Sequence, residues 1–319
     1  MFFRLSQIAR HLSQPTLACS HVTPFSSTGA RLAGRIMASS IADRNHARTI
    51  HTAACLVIGD ETNSNYMASF CFSLGIQLKR IEVIEDDETE IIEAVRRMSD
   101  RYDFVVTSGG IGPTHDDITY QSIAKAFDLK VKLYEEAYSR MKKLSKRRPG
   151  EEAFNWDEES PAKTAKLRMV ELPTDDSIPL EKQFIFPRDD LWVPVAVVNG
   201  NVHILPGVPR LFEGLLDGLK PHIMPRLVDP EGKGICRILI STPLPESAVA
   251  PYLTELAKKV ESQGIKVGSY PRWEKSRNTV TLVGKDQKFL DSIAPEVAEN
   301  VKGRIVQVEG EDDDVSVDQ

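Results

Sequence analysis

A glycine-rich segment of the sequence carries the residue types that bind phosphate. Residues 107–119 read Thr-Ser-Gly-Gly-Ile-Gly-Pro-Thr-His-Asp-Asp-Ile-Thr and follow an apolar stretch. Glycines let the backbone turn tightly and bring its N–H groups close to a ligand. Where a strand meets a helix, these N–H groups and the helix N-terminus form an anion site. We therefore predict a phosphate-binding loop with the following members: Thr107, Ser108, Gly109, Gly110, Gly112, Thr114 and Thr119.

Acidic residues in and near this segment predict a cation. Asp116 and Asp117 lie within it, while Asp60 and Glu61 follow the first apolar stretch of the folded region. Carboxylates repel phosphates unless a positive charge intervenes or one of them is protonated. A divalent metal with oxygen ligands is the usual solution, and it can also activate water. We predict all four as catalytic, with Asp60 and Asp117 binding Mg²⁺, Mn²⁺ or Co²⁺.

Plainer interpretations of these residues stay open. Asp116 or Asp117 could simply cap the next helix, and Asp60 with Glu61 could form a polar turn. His115 could act as an acid or base, although a lone loop histidine more often does neither. The segment contains neither GxxxxGK[ST] nor GxGxxG, so neither a P-loop nor a dinucleotide dehydrogenase is predicted.

A second rigid turn is predicted at Leu205-Pro206-Gly207-Val208-Pro209. Proline fixes φ and glycine permits close approach, so Pro206 and Gly207 are expected at the ligand. The alternative is an ordinary helix start with proline in its first turn. We also place Asn63 at the ligand, although Thr62-Asn63-Ser64 can equally cap a helix.

The positions of these segments follow from the pattern of elements around them. Apolar strands at 53–58, 76–84 and 103–107 alternate with helical patterns at 64–74, 87–101 and 118–127. This alternation predicts a three-layer, doubly wound α/β fold with a mostly parallel sheet. Two further strands are expected around the turn Asn199-Gly200. After a linker at 225–233 the order β-α-β-β-α-β predicts a small ferredoxin-like α+β domain.

Length and composition restrict the classes of function. A chain of 319 residues with 41% hydrophobic residues suggests about two domains. A net charge of −6 gives no general basic field for nucleic acid, and no apolar run is long enough to span a membrane. The four cysteines are scattered and lack metal-ligand spacing, which favours reduced core thiols. A homo-oligomer is compatible with this composition.

The two ends of the chain differ from the rest. Residues 1–42 contain arginines and serines without Asp or Glu, which is typical of a mitochondrial transit peptide. Met37 offers an alternative start and hence a cytoplasmic form. The predicted organisation is a leader at 1–51, a first domain at 52–228, a ferredoxin-like domain at 234–308 and an acidic tail at 309–319.

At these segments the sequence resembles the molybdopterin-binding MoaB/Mog domain family. The likeness is strongest to the branch of CinA-like proteins and FAD synthase N-terminal domains. It rests on Ile58-Gly59-Asp60-Glu61, on residues 107–119 and on Leu205–Pro209. The family usually carries further residues between Gly-Asp-Glu and Thr-Asn, whereas here Glu61 directly precedes Thr62. This departure concerns ligand specificity and turnover more than the fold.

The resemblance implies two alternative functions. In the CinA-like and FAD-synthase branch it implies metal-dependent hydrolysis of a dinucleotide pyrophosphate, with FAD to FMN and AMP first and ADP-ribose second. Asp117 then matches the acidic site residue, and the three glycines match the phosphate loop. For the family in general it implies a module that binds molybdopterin or another pterin without turnover.

Overall fold

The computed structural model describes residues 44–60, 62–145, 154–230, 235–272, 275–308 and 310–311. Residues 1–43 of the predicted leader, Glu61 and most of the predicted acidic tail lie outside these ranges. Within them, no helix is long and apolar enough to cross a membrane. The strands, numbered in chain order, are β1 Thr52–Ile58, β2 Gln77–Ile84, β3 Phe104–Ser108, β4 Lys130–Leu133, β5 Glu171–Thr174, β6 Phe184–Ile185, β7 Val195–Val198, β8 Val202–Leu205, β9 Cys236–Thr242, β10 Lys266–Tyr270, β11 Asn278–Gly284 and β12 Arg304–Val306.

The helices separate most of these strands along the chain. They are α1 Ser64–Ser73, α2 Glu88–Arg101, α3 Thr119–Ala126, α4 Glu135–Leu144, α5 Pro161–Arg168, α6 Leu180–Gln183, α7 Pro209–Gly218, α8 Lys220–Ile223, α9 Glu246–Val260 and α10 Gln287–Asn300. Short 3₁₀ turns occur at Met224–Arg226 and Glu261–Gln263. Helix α2 begins where Asp87 accepts a hydrogen bond from the Glu90 N–H, and it buries Ile91, Val95 and Met98 on one face.

The first domain, residues 44–230, contains a six-stranded sheet in the order β2-β1-β3-β8-β7-β6. Strands β2, β1, β3 and β8 are parallel, while β7 and β6 add to one edge in antiparallel fashion. Strands β1 and β3 are almost entirely buried, as expected for parallel strands covered on both faces. The predicted mostly parallel α/β fold is confirmed.

Two features of this domain were not predicted. Strands β4 and β5 form a separate two-stranded antiparallel sheet that contacts helix α3. Their four-residue sequences are too short for a clear period of two, so the pattern did not identify them. The packed chain also begins before Thr52, because Ile50 is buried and pairs with Leu227.

The second domain, residues 235–311, is built on an antiparallel sheet in the order β10-β11-β9-β12. Helices α9 and α10 cover one face of this sheet, where Ile240, Val280 and Leu282 form the core with Leu253 and Val297. This is the predicted β-α-β-β-α-β arrangement. Strand β12 is shorter than predicted and ends at Val306.

Asp103 anchors the start of the first domain, at the edge of the sheet where β1 and β3 begin. Its buried carboxylate accepts hydrogen bonds from the backbone N–H groups of His51 and Thr52, at 3.0 and 2.9 Å, and from the Thr52 hydroxyl. Arg48 lies 2.6 Å from its other oxygen. Burial alone would raise the pKa of Asp103, but the hydrogen bonds and the Arg48 charge outweigh it and lower the pKa.

We expect Asp103→Asn to lower the free energy of unfolding of the first domain by about 1–3 kcal/mol, because buried donors lose their charged acceptor. The carboxylate has a depressed folded pKa, so its contribution is present above the unfolded pKa of about 3.9 and is lost as pH falls through the folded value. The difference in free energy of unfolding between Asp103→Asn and the wild type, measured with urea, should therefore become smaller below about pH 4. Asp100→Asn, at an exposed position three residues earlier, is the control; equal losses at both positions would contradict the assignment.

Candidate functional site

The candidate site lies where three neighbouring parallel strands end. Strands β2, β1 and β3 lie side by side, so the residues that follow them meet at one edge of the sheet. Asp86 follows β2, Gly59 and Asp60 follow β1, and the glycine-rich loop follows β3. Ligands of open α/β sheets bind at this carboxyl edge. The structure thus brings the predicted Asp60, Asp116 and Asp117 to the same edge as the loop.

Asp86 is a site residue that the sequence reasoning missed. Its carboxylate lies against two glycines: Oδ2 is 3.0 Å from where a Cβ on Gly59 would lie, and Oδ1 is 3.2 Å from the corresponding position at Gly110. Asp86 therefore reaches from the end of β2 past the end of β1 to the loop after β3. Acidic residues that follow adjacent parallel strands meet at one edge of the sheet. This rule would have identified Asp86, as it identified Asp60.

The charge on Asp86 is poorly neutralised. Its pKa is raised above the usual value, in the first place by partial desolvation. The negative charges of Asp116, Asp117 and Asp60 raise it further. A cation at this edge would reverse the effect, because a positive charge favours the ionised carboxylate.

The loop itself has the geometry of an anion site. Gly109 and Gly110 have φ values of 105° and 65°, in the left-handed region that favours glycine. The Gly109 N–H donates to the Leu205 carbonyl and thus ties the loop to β8. For the N–H groups of Gly110, Ile111 and Gly112 there is no acceptor among the described residues. These three groups are available to a phosphate.

Asp117 closes the loop rather than capping the following helix. It accepts hydrogen bonds from the Thr114 N–H, at 2.8 Å, and from the Thr114 hydroxyl. A Cβ on Gly112 would come within 2.5 Å of its Oδ2, so Gly112 makes room for this carboxylate. Helix α3 begins after Ile118 without a side-chain cap. The interpretation of Asp116 or Asp117 as a helix cap is therefore wrong.

Several predicted ligand residues are buried and form the framework beneath the loop. Asn63 does not cap helix α1; its amide nitrogen donates to the Ser108 hydroxyl at 2.9 Å and to the Gly207 carbonyl at 2.6 Å. It thereby joins the ends of β1, β3 and β8. The Thr119 hydroxyl donates to the Gly109 carbonyl at 3.0 Å. The fully or almost fully buried members of the predicted set are Asn63, Thr107, Ser108, Gly109, Thr119, Pro206 and Gly207.

The accessible members of the predicted set are fewer. Gly110 and Gly112 are partly exposed, and Thr114, Asp60 and Asp116 are exposed. His115 is 98% exposed and lies 3.8 Å from Asp116, which gives it no fixed partner at the loop. A ligand would thus meet loop amides and carboxylates, with the buried polar residues holding these in place.

Arg168 brings a positive charge to this edge from a distant part of the chain. It ends helix α5, and its Nη2 donates to the Asp117 carbonyl at 2.9 Å. The pKa of Asp116 is lowered, first by hydrogen bonding within the loop and in smaller part by the nearby charges of His115 and Arg168. No local sequence signal marks this arginine, since only the folded chain places α5 beside the loop.

The metal site stays a prediction. Among the described residues, no group of three His, Cys, Asp or Glu side chains is arranged to hold a metal ion. Mg²⁺, however, is usually bound by one or two carboxylates together with substrate phosphates and water. Asp60 and Asp86 fit that mode, whereas one oxygen of Asp117 already accepts two hydrogen bonds within the loop.

We expect Gly110→Ala to destabilise the first domain by about 1–3 kcal/mol and to weaken ligand binding, because the backbone is left-handed and the added Cβ meets Thr119. The contact would be 2.2 Å from Oγ1. Gly75→Ala, whose φ of 70° is similar to the 65° of Gly110, isolates the backbone cost of about 1 kcal/mol. Urea unfolding should show the larger loss at Gly110; equal losses would mean that the Thr119 contact imposes no constraint.

Two family models match the sequence. The model described as "Probable molybdopterin binding domain" matches residues 40–227, which is more than half of the chain. The model described as "FAD synthase, middle domain" matches residues 235–309. The first match contains every residue of the candidate site, and the second contains the antiparallel sheet of the second domain.

The chain is also similar to individual proteins. A "Probable FAD synthase" of Caenorhabditis elegans is 30% identical over 270 residues, which are 80% of this chain and 51% of that protein. A "CinA-like protein" of Anaeromyxobacter is 26% identical over 271 residues, 81% of this chain and 59% of that protein. A crystal structure of the protein CinA from Thermoplasma acidophilum has 28% identity and a TM-score of 0.44, covering 55% of this chain and 98% of that one.

The chain spans about half the length of the FAD synthase relative. The family assignment depends on the matched model and on the loop at the carboxyl edge, and it agrees with the resemblance seen in the sequence. The chain belongs to the molybdopterin-binding MoaB/Mog domain family, in the branch that includes CinA-like proteins and FAD synthases.

Proposed function

We propose that this protein hydrolyses the pyrophosphate bond of a dinucleotide in a metal-dependent reaction, converting FAD to FMN and AMP, with ADP-ribose as a second substrate. The observation that carries the proposal is the contact of Asp86 with the glycine-rich loop. A carboxylate with a raised pKa there lies next to amide groups suited to bind phosphate. Anion binding and proton transfer can thus occur at one edge of the sheet.

The choice of FAD comes from the relatives. One relative is named probable FAD synthase, and the second domain matches a FAD synthase middle domain. These names support a flavin dinucleotide as ligand, while the chain covers about half of that relative. Hydrolysis, rather than synthesis, is our inference from the acidic edge of the loop.

The reaction requires one water molecule for each FAD. Water attacks one phosphorus atom, the bridging P–O bond breaks, and the leaving phosphate oxygen takes a proton. The N–H groups of Gly110, Ile111 and Gly112 would bind the non-bridging oxygens, on which negative charge increases. With the metal bound Asp86 would be ionised, and its carboxylate would accept the proton of the attacking water.

A divalent metal would be held by Asp60 and Asp86 together with the substrate phosphates. When bound, it would polarise the phosphoryl group and neutralise the carboxylates. Arg168, held at the Asp117 carbonyl, would add a fixed positive charge and contact a phosphate oxygen. Asp117 and Thr114 would maintain the shape of the loop during turnover.

The second candidate is a pterin-binding module without turnover. The observation that favours it is that no three described acidic or histidine side chains form a metal site. In that case calorimetry would show molybdopterin binding, and no FAD or ADP-ribose would be hydrolysed with Mg²⁺, Mn²⁺ or Co²⁺. This result would overturn the hydrolase proposal.

We expect Asp86→Asn to lower kcat for FAD hydrolysis by about 100-fold or more, because general-base catalysis typically contributes at least this factor. Phosphorus NMR of FAD with Mg²⁺ gives the rate directly from the FMN and AMP signals. Asp128→Asn, at an exposed position two residues after helix α3, should retain wild-type activity. Undiminished hydrolysis by Asp86→Asn would remove this residue from the mechanism.

We expect Arg168→Gln to raise KM for FAD about tenfold with a smaller effect on kcat, since one charged hydrogen bond to phosphate is lost. The loop keeps its other closing contacts, from Thr114 to Asp117 and from Thr119 to Gly109. Arg101→Gln, at the exposed end of helix α2, is the matched control. Steady-state kinetics decide the matter: a fall in kcat alone, with KM unchanged, would contradict a phosphate contact.

A further inference from the structure

The sheet of the second domain has one face that its helices do not cover. The strand register assigns the following residues to this face, here called the open sheet face: Arg237, Leu239 and Ser241 of β9, Lys266, Gly268 and Tyr270 of β10, Thr279, Thr281 and Val283 of β11, and Arg304 and Val306 of β12. The alternate residues, such as Ile240 and Val280, pack against helices α9 and α10. None of the proposed catalytic residues belongs to this domain.

An aromatic ring lies across the open sheet face. The side chain of Tyr270 folds back over Gly268, where an added Cβ would lie 3.4 Å from the ring carbon Cε2. Tyr270 is nevertheless 51% exposed. Only part of the open sheet face is accessible: Arg237, Lys266, Tyr270 and Arg304 are exposed, whereas Ser241, Thr279, Thr281 and Val306 are buried. A flat ring that is supported from below and open to solvent is a platform on which a planar base can stack.

Positive charge surrounds this ring. The Arg237 guanidinium lies 5.8 Å from the ring centroid, and the exposed Lys266 is two positions before Gly268 on β10. Arg277, just before β11, donates from Nε to the Ser241 hydroxyl at 3.0 Å, which extends the basic surface across β9. No Asp or Glu occupies any position of the open sheet face. The partner that fits this charge is an anion.

We propose that the open sheet face binds a nucleoside phosphate, with the base stacked on Tyr270 and the phosphate between Arg237 and Lys266. A stacking ring next to two cations selects a ligand that combines an aromatic base with negative charge. Tyr270 is the one aromatic residue of the face, whereas sheets that bind single-stranded RNA stack two or three bases. This difference favours a free nucleotide over nucleic acid. The site is separate from the proposed hydrolytic loop.

Photo-crosslinking locates the site directly. The full chain is irradiated with 8-azidoadenosine 5′-monophosphate, and the adduct is mapped by mass spectrometry. We expect an adduct within residues 266–272, both in the wild type and in Asp86→Asn. Because Asp86→Asn disables the proposed hydrolase, its adduct separates failure of this site from failure of the hydrolase. An adduct found only in residues 107–119 would overturn the proposal.

Calorimetry with AMP tests the individual contacts. Tyr270→Ala should weaken this binding event about fivefold or more, as expected for loss of one stacked base. Arg237→Gln should weaken it as well, and more at low salt than at high salt. Lys258→Gln, on the exposed side of helix α9, is the control and should bind as the wild type does. Unchanged affinity in Tyr270→Ala, or an eight-nucleotide oligoadenylate that binds much more tightly than AMP, would contradict a nucleotide site.

Discussion

The candidate site of the first domain depends on how the negative charge of four carboxylates is balanced at the carboxyl edge of the sheet. Asp86, Asp60, Asp116 and Asp117 follow three adjacent parallel strands, and partial desolvation together with the charges of the other three raises the pKa of Asp86. Without a neutralising group, these carboxylates repel one another and any phosphate. Two features offset the repulsion: unpaired backbone N–H groups in the loop and the guanidinium of Arg168 on Asp117. A metal ion and a phosphate together would complete the balance, which is the electrostatic basis of the proposed activity.

The buried polar residues make this arrangement rigid before a ligand arrives. Asn63 joins Ser108 to Gly207, and Thr119 closes on the Gly109 carbonyl. Gly110 leaves no space for a side chain between Thr119 and Asp86. The loop therefore cannot relax away from the acidic edge without breaking buried hydrogen bonds, whose loss costs about 1–3 kcal/mol each. Preorganised amides of this kind stabilise developing charge better than groups that must first reorient.

The sequence allowed the loop, the parallel sheet and the second domain to be predicted because each has a local pattern. Strand β3 begins with an apolar run and is buried throughout. The glycines after it indicate a tight loop. Asp86 was missed because Asp87 accounted for the same segment as the start of a helix, which it is. The roles of Asn63, Arg168 and Thr119 could not be predicted, since their partners lie 144, 51 and 10 residues away. Glu61 lies outside the described residues, so its predicted role stays a prediction.

The central claim is that the amides of Gly110, Ile111 and Gly112 bind the pyrophosphate of the ligand. Amide NMR of the ¹⁵N-labelled chain, titrated with ADP-ribose in the absence of divalent metal so that no turnover occurs, measures this contact at each residue. The account predicts large downfield shifts of these three N–H resonances, saturating together with those of Asp86 and Arg168. Shifts confined to other parts of the chain, with these three resonances unmoved at saturation, would contradict it.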